Sequence, residues 1–115
     1  VRAVIESPDD LWQRAQSSEL CLTEAPFRYE EMAEDGVPTM TRGIIDLAFR
    51  ESDGWVIVDY KTDSVRRSSV EDLSKHYAPQ LREYRLGWES CTDEEVKEAG
   101  FFFIGAQRYV ERYTR

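Results

Sequence analysis

The chain has 115 residues, of which 41% are hydrophobic and 12% aromatic, and its 23 Asp and Glu outweigh 15 Lys and Arg to give a net charge of −8. That length supports one domain with a modest core, and the apolar fraction excludes a disordered chain. No run approaches the roughly 20 apolar residues of a membrane span, and two cysteines, Cys21 and Cys91, exclude a disulfide scaffold or a four-cysteine zinc or iron–sulfur site.

The expectation from this composition is a cytoplasmic protein with two free thiols and no membrane partner. A net negative charge is the wrong sign for gripping nucleic acid by phosphate neutralisation alone. Either the partner is not nucleic acid, or the acids surround a metal while other protein supplies the basic surface. The ends carry no capped polar tail, which suggests a piece of something longer.

In chain order, Ser7-Pro8-Asp9-Asp10 predicts a helix start, because Ser caps, Pro suits the first position and acids favour the positive helix end. The helix should run to about Ser18. Leu20 to Tyr29 predicts a strand, followed by the acidic loop EEMAEDGVP with Gly36 and Pro38 as breakers. Thr39 to Glu51 and Trp55 to Lys61 predict two more strands joined at Asp53-Gly54, a tight-hairpin signal. A polar loop, TDSVRRSS, leads to Ser69, which with Asp72 resembles a capping box. Val70, Leu73, Tyr77, Leu81, Tyr84 and Trp88 recur at the spacing of a helix core stripe, with Pro79 expected to kink the helix or to mark its start. Thr92 to Glu95 is expected to cap a short helix ended by Gly100, and FFFIGAQRYVERY to form one strand, or two with a break at Gly105. The order α-β-β-β-α-(α)-β predicts an α/β fold, a mixed central sheet flanked by helices.

The two middle strands carry acids among apolar residues. Alternation puts Asp59 and Lys61 on one face of their strand with Trp55 and Ile57. If Asp53-Gly54 are the central turn residues, Ser52 pairs with Trp55, Ala48 with Asp59 and Asp46 with Lys61. Asp46, Asp59 and Lys61 then converge, the two aspartates as diagonal neighbours roughly 7–8 Å apart at Cα. Loop parity decides this, since an odd loop or a bulge would send Asp46 to the other face. Two carboxylates at 4 Å repel by about 4 kcal/mol at an effective dielectric of 20. A lysine offsets part of that and a divalent cation more; Mg²⁺ suits one or two carboxylates completed by water and phosphate oxygens. The pattern therefore fits metal-assisted phosphodiester hydrolysis, with the lysine orienting water or stabilising phosphoryl charge. It fits equally a hairpin whose solvent face carries an ordinary Asp46–Lys61 ion pair.

GIIDLAF, VIVDYKTD and HYAPQLREY together resemble the nuclease domain at the C-terminus of RecB/AddA-type helicase–nucleases, within the PD-(D/E)xK superfamily. The likeness covers about Glu24 to Trp88. It implies a restriction-endonuclease-like core, with Asp46 and Asp59 as metal-binding aspartates, Lys61 as the catalytic lysine and the Tyr60 carbonyl as a further metal ligand. Gln80 and Tyr84 match a Gln-x-x-x-Tyr helix motif that contributes to DNA contact and site organisation; one turn apart, they share a helix face. Read as residues alone, Tyr84 is also a core aromatic and Gln80 also an exposed helix position. Glu24 matches the acid of the preceding strand, reaching the metal or merely supporting the site. Arg66 and Arg67 are candidate phosphate contacts or a solvated loop, Asp63 a turn anchor rather than a contact, and His76 a solvent-facing or packing residue.

The resemblance further implies a Mg²⁺-dependent deoxyribonuclease, with Mn²⁺ as substitute and no iron–sulfur cluster. Its partners would be single-stranded DNA delivered by helicase domains of the same polypeptide and a second helicase–nuclease subunit, in double-strand-break repair and recombination. In the family an earlier helix supplies one more acidic or histidine ligand; the first helix here offers only Asp9, Asp10 and Glu19. Residues 1–115 are thus expected to be a C-terminal fragment lacking that core helix, weak or inactive when isolated. A freestanding exonuclease of the same fold, and a catalytically incomplete scaffold, are the competing readings.

Overall fold

The computed structural model describes residues 8–62 and 69–115. Its elements are α1 (Pro8–Ser17), β1 (Leu20–Met32), β2 (Pro38–Glu51), β3 (Gly54–Lys61), α2 (Val70–Thr92), β4 (Val96–Phe103) and β5 (Arg108–Thr114). The strands form one mixed sheet in the order β1-β2-β3-β4-β5. Only β3 and β4 are parallel, and α2 is the crossover that parallel neighbours require. Gly54 to Asp59 are all buried, as expected of a central strand covered on both faces.

Alternation sorts the core into two layers. Val56, Val58, Leu47, Phe49, Phe102 and Tyr109 pack with Leu11 and Ala15 of α1. Trp55, Ile57, Ala48, Ala99, Phe101 and Phe103 pack with Val70, Leu81 and Trp88 of α2. All six residues of the expected helix stripe lie against this second layer, with Leu73, Tyr77 and Tyr84 partly buried. At the far end of the sheet, Arg14 of α1 is held between Glu51 and Glu98 at 3.0 and 2.9 Å, and Tyr109 donates its hydroxyl to Glu98 at 2.9 Å.

Four expectations are corrected. The hairpin closes with Glu51 opposite Gly54, so Ser52 and Asp53, not Asp53 and Gly54, are the central turn residues. Gly54 adopts φ +150, and a Cβ there would lie 3.1 Å from Lys97 Cβ and 3.2 Å from the Glu95 carbonyl. The glycine is thus required at the hairpin end of the ladder, where Glu95 and Lys97 crowd it. The register moves by two residues and parity is kept. Second, α2 runs on through Pro79 instead of starting there; buried residues on both sides of the proline hold it to the sheet at the cost of one backbone hydrogen bond. Third, Ser69 makes no side-chain cap hydrogen bond. Fourth, Thr92 ends α2 instead of starting a helix: its hydroxyl donates to the Trp88 carbonyl at 2.8 Å, Asp93 closes the helix at φ 59, and Gly100 lies within β4. The break near Gly105 is a turn over 104–107 between β4 and β5.

Beyond the core, β1 and β2 continue as a two-stranded arm paired to Met32↔Pro38. Both strands lose the period of two at one level. Leu22 and Ala25 on β1, and Ala48 and Ile45 on β2, face the α2 layer at steps of three. Glu24 lies between the pairs Thr23↔Leu47 and Ala25↔Ile45, hence opposite Asp46, and has a left-handed φ of 50. That conformation is unfavourable for a residue with a Cβ, and it resets the pleat.

Candidate active site

The ladder between β2 and β3 ends at Leu47↔Val58, one residue short of the two aspartates. Past that point β2 departs with the arm while β3 stays beside β4, so the sheet forks at Asp46 and Asp59. The fork exposes a β3 amide, and Asp46 satisfies it: Oδ2 accepts the Tyr60 N–H at 2.8 Å. Asp59 is 6% exposed and lies beside the Asp46 carboxyl. Lys61 Nζ lies 3.0 Å from Asp59 Oδ2 as an ion pair, on an oxygen buried from solvent.

Burial, and next the Asp46 contact, push the Asp59 carboxyl up to about 6, against the pull of Lys61. The dominant cause is desolvation. Burial also raises the Tyr84 phenol, helped by the negative field of Asp59 and then Asp46. Two acids and one lysine in a half-dry fork carry more negative charge than one ammonium balances. Their donor set, two carboxylates converging in a partly dry fork, fits a hard divalent cation. Among the described residues no third His, Cys, Asp or Glu completes a metal cluster.

α2 covers the fork. Lys61 Nζ donates to Gln80 Oε1 at 2.8 Å, and Gln80 Nε2 donates to the Tyr84 hydroxyl at 3.3 Å. The ammonium also rests 4.1 Å above the centre of the Tyr77 ring. Tyr84 in turn stands edge-on to Phe27 at 5.5 Å, with Gly43 and Gly87 leaving room for that ring. Asp46, Asp59, Lys61, Gln80, Tyr84 and Tyr77 thus form one contiguous constellation.

Over residues 2–113 the sequence matches the profile of the PD-(D/E)XK nuclease superfamily. The chain belongs to this superfamily. Curated relatives include an ATP-dependent helicase/nuclease subunit of Syntrophomonas wolfei, 33% identical over 107 residues, covering 87% of this chain and 9% of that protein. The corresponding protein of Carboxydothermus hydrogenoformans is 38% identical over 82 residues, covering 71% of this chain and 7% of that one. The nuclease-superfamily chain therefore spans less than a tenth of the length of these relatives. Among solved structures, SSO0001 superposes with a TM-score of 0.61 at 16% identity, covering 91% of this chain and 46% of the other. That likeness carries the fold, a restriction-endonuclease-like α/β core. The expected family and fold class are both met.

The remaining candidates of the superfamily reading separate. Glu24 is exposed across the arm from Asp46, and among the described residues no hydrogen bond or ion pair joins it to Asp46 or Asp59. The Tyr60 side chain points away from the fork, edge-on to Trp12 and Phe102 at 6.2 Å each, so only its backbone belongs to the site. Asp63, Arg66 and Arg67 lie outside the described residues. His76 is exposed beside Tyr77. Cys21 and Cys91 are free thiols, and Cys91 donates to the Arg28 carbonyl at 2.8 Å. Sequence reasoning missed Tyr77 as a site residue. Its signal was present, three residues before Gln80 and seven before Tyr84 on one helical stripe, but read as core.

Proposed function

We propose that the chain is a divalent-cation-dependent deoxyribonuclease module, and that its site is the forked-strand constellation. The observation that carries this reading is the convergence of Asp46, Asp59 and Lys61 at the fork, with Asp59 buried. Asp46 and Asp59 would hold Mg²⁺, or Mn²⁺ in its place, with the Tyr60 carbonyl as a further ligand and Glu24 reaching in or supporting. The chemistry supplied there by the bound cation is Lewis-acid polarisation of a phosphoryl oxygen and acidification of water. Lys61, fixed from three sides by Asp59, Gln80 and the Tyr77 ring, stabilises charge that grows on the phosphoryl oxygens. Gln80 holds that lysine in place, and Tyr84 holds Gln80. Gln80 and Tyr84, with Arg66 and Arg67, also contact the DNA strand in this reading.

The curated relatives carry names that combine a helicase with a nuclease. By analogy the module works as an exonuclease within a longer cytoplasmic polypeptide. An ATP-driven helicase in that polypeptide, with a second helicase–nuclease subunit, feeds it single strands in double-strand-break repair and recombination. The test is cleavage of labelled single-stranded DNA by the full-length polypeptide with Mg²⁺ or Mn²⁺. The expected result is cation-dependent cutting abolished by Asp59→Ala. Cutting that survives this substitution overturns the reading. The shortage of acidic ligands among the described residues favours one alternative, a scaffold that tracks DNA without cutting it. Full-length protein that binds DNA but never cleaves it would establish that alternative.

A further inference from the structure

On the far flank of α2, facing β4 and β5, lies a cavity of about 200 Å³ lined by Ala78, Leu81, Arg82, Arg85, Arg112 and Tyr113, with Ala99 at its base. In a chain with net charge −8, three arginines at one concavity need a reason. Their own partners do not supply it. Arg112 meets Glu71 only at 3.6 Å, too long for a hydrogen bond, and its Nε is buried with no acceptor. Arg85 hydrogen-bonds Glu89 at 3.4 Å, and its guanidinium carbon lies 4.1 Å from the centre of the Tyr113 ring. Arg82 is exposed, and among the described residues it has no ion-pair partner. Arg85 thus hydrogen-bonds Glu89, Arg112 meets its carboxylate only at long range, and among the described residues Arg82 has no ion-pair partner. Planar arginine forks beside the buried Arg112 Nε suit an oxyanion, phosphate above all.

The position on α2 selects the source of that phosphate. At 100° per residue, Gln80 and Tyr84 occupy one flank, Leu81 the buried underside, and Arg82 and Arg85 the opposite flank. The helix between them is about 10–12 Å across. A single strand crossing the helix spans that width in a few nucleotides. We propose that the Arg82–Arg85–Arg112 cavity is a second phosphate subsite, taking the backbone of the same nucleic-acid strand a few nucleotides from the reacting centre. This rests on the nuclease reading of the forked site.

A fluorescein-labelled deoxythymidine decanucleotide in EDTA at low ionic strength, followed by anisotropy, tests it without cleavage. Arg82 is exposed, whereas Arg85 is 17% exposed and pairs with Glu89, so the fold of Arg82→Gln and of the double variant with Arg85→Gln is verified by circular dichroism before binding is compared. The double variant is expected to bind about tenfold more weakly, and its slope of log affinity against log salt to fall by about 1.4, near 0.7 per lost contact. Independently, titrating inorganic phosphate at constant ionic strength should move the Arg112 Nε–H resonance in a saturable way that chloride does not. Equal oligonucleotide affinity and slope in all variants would overturn the subsite, as would a phosphate response no larger than that of chloride. A wild-type chain that does not bind the decanucleotide would overturn it too. If cleavage is absent but the arginine variants still weaken binding, the catalytic reading has failed and the subsite stands. If cleavage is intact and the variants bind like wild type, the reverse holds.

Discussion

Asp59 is the most strained ionisable residue of the site. In the metal-free chain its carboxyl titrates near 6 instead of the ordinary 3.8, because it is buried and touches Asp46. Between those values the folded state keeps a proton that the unfolded chain has lost, so stability falls as pH climbs from about 4 to about 6 and stays lower above. Asp59→Asn should flatten that part of the curve and stabilise the metal-free chain at pH 7 by on the order of 1–2 kcal/mol after solvent screening. Urea unfolding at pH 4.5 and 7 measures both; an unchanged slope would show that Asp59 is not the group responsible. Tyr77 gives the second prediction at this scale. Its ring lies under the Lys61 ammonium, a contact worth about 0.5–2 kcal/mol. Tyr77→Leu should lower kcat about fivefold at saturating DNA with KM unchanged, while Tyr77→Phe, which keeps the ring, should stay within about twofold. A merely structural tyrosine would instead show equal kinetics in both variants and a loss of Tm. The convergence of Asp46, Asp59 and Lys61 was legible from strand alternation, a short-range rule, whereas Gln80 and Tyr84 entered through the family resemblance and helical spacing only put them on one face. Tyr77 was not legible, since an aromatic on a helix stripe reads the same whether it supports a core or a lysine.

Elements were legible where hydrophobic period decided them and illegible where a distant contact did. The stripe on α2 follows from spacing alone. Its end at Thr92 does not: Thr-x-x-Glu reads as a helix start, and what makes it a helix stop is Trp88 packed at 5.1 Å on Trp55 with Glu89 accepting the Val96 amide at 2.9 Å. The hairpin register had the same weakness, because the crowding that reserves Gly54 for the ladder comes from β4, more than forty residues away. So did the phase slip at Glu24, a residue with no preference for left-handed φ. Gly87 tests how α2 is seated on the arm. A Cβ there would stand 2.4 Å from the Phe27 ring and 3.0 Å from that of Tyr29. Helix propensity alone favours Gly87→Ala by about 1 kcal/mol, whereas overpacking costs about 1–3 kcal/mol. The expected net is a loss of about 1 kcal/mol in chemical denaturation, together with reduced cleavage, because lifting α2 moves Gln80 off Lys61. A stabilised variant would mean that α2 is not packed against Phe27 at this depth.

At the scale of the whole molecule, the radius of gyration is 14.7 Å with extents of 47 × 31 × 23 Å, against about 13 Å for a compact domain of this length. The excess is the β1–β2 arm, which leaves the sheet at the fork where the aspartates meet, so the site lies at the joint between arm and core. A cation bound at that joint would tie Asp46, on the arm strand, to Asp59, on the central strand, and so act on global stability as well as on chemistry. With few protein ligands the affinity should be weak, a Kd on the order of 1 mM. At 10 mM Mg²⁺ such a site adds about 1.4 kcal/mol to the folded state, which for a domain of this size raises Tm by about 4–6 °C. Differential scanning fluorimetry of the 115-residue chain with and without Mg²⁺ reads this directly, with NaCl matched for ionic strength. Asp59→Asn should abolish the rise, and Asp59 and Asp46 changed together should do no more than either alone, since both act through one ion. A Tm gain that persists in Asp59→Asn would place the cation elsewhere among the 23 acids and would separate the joint from metal binding.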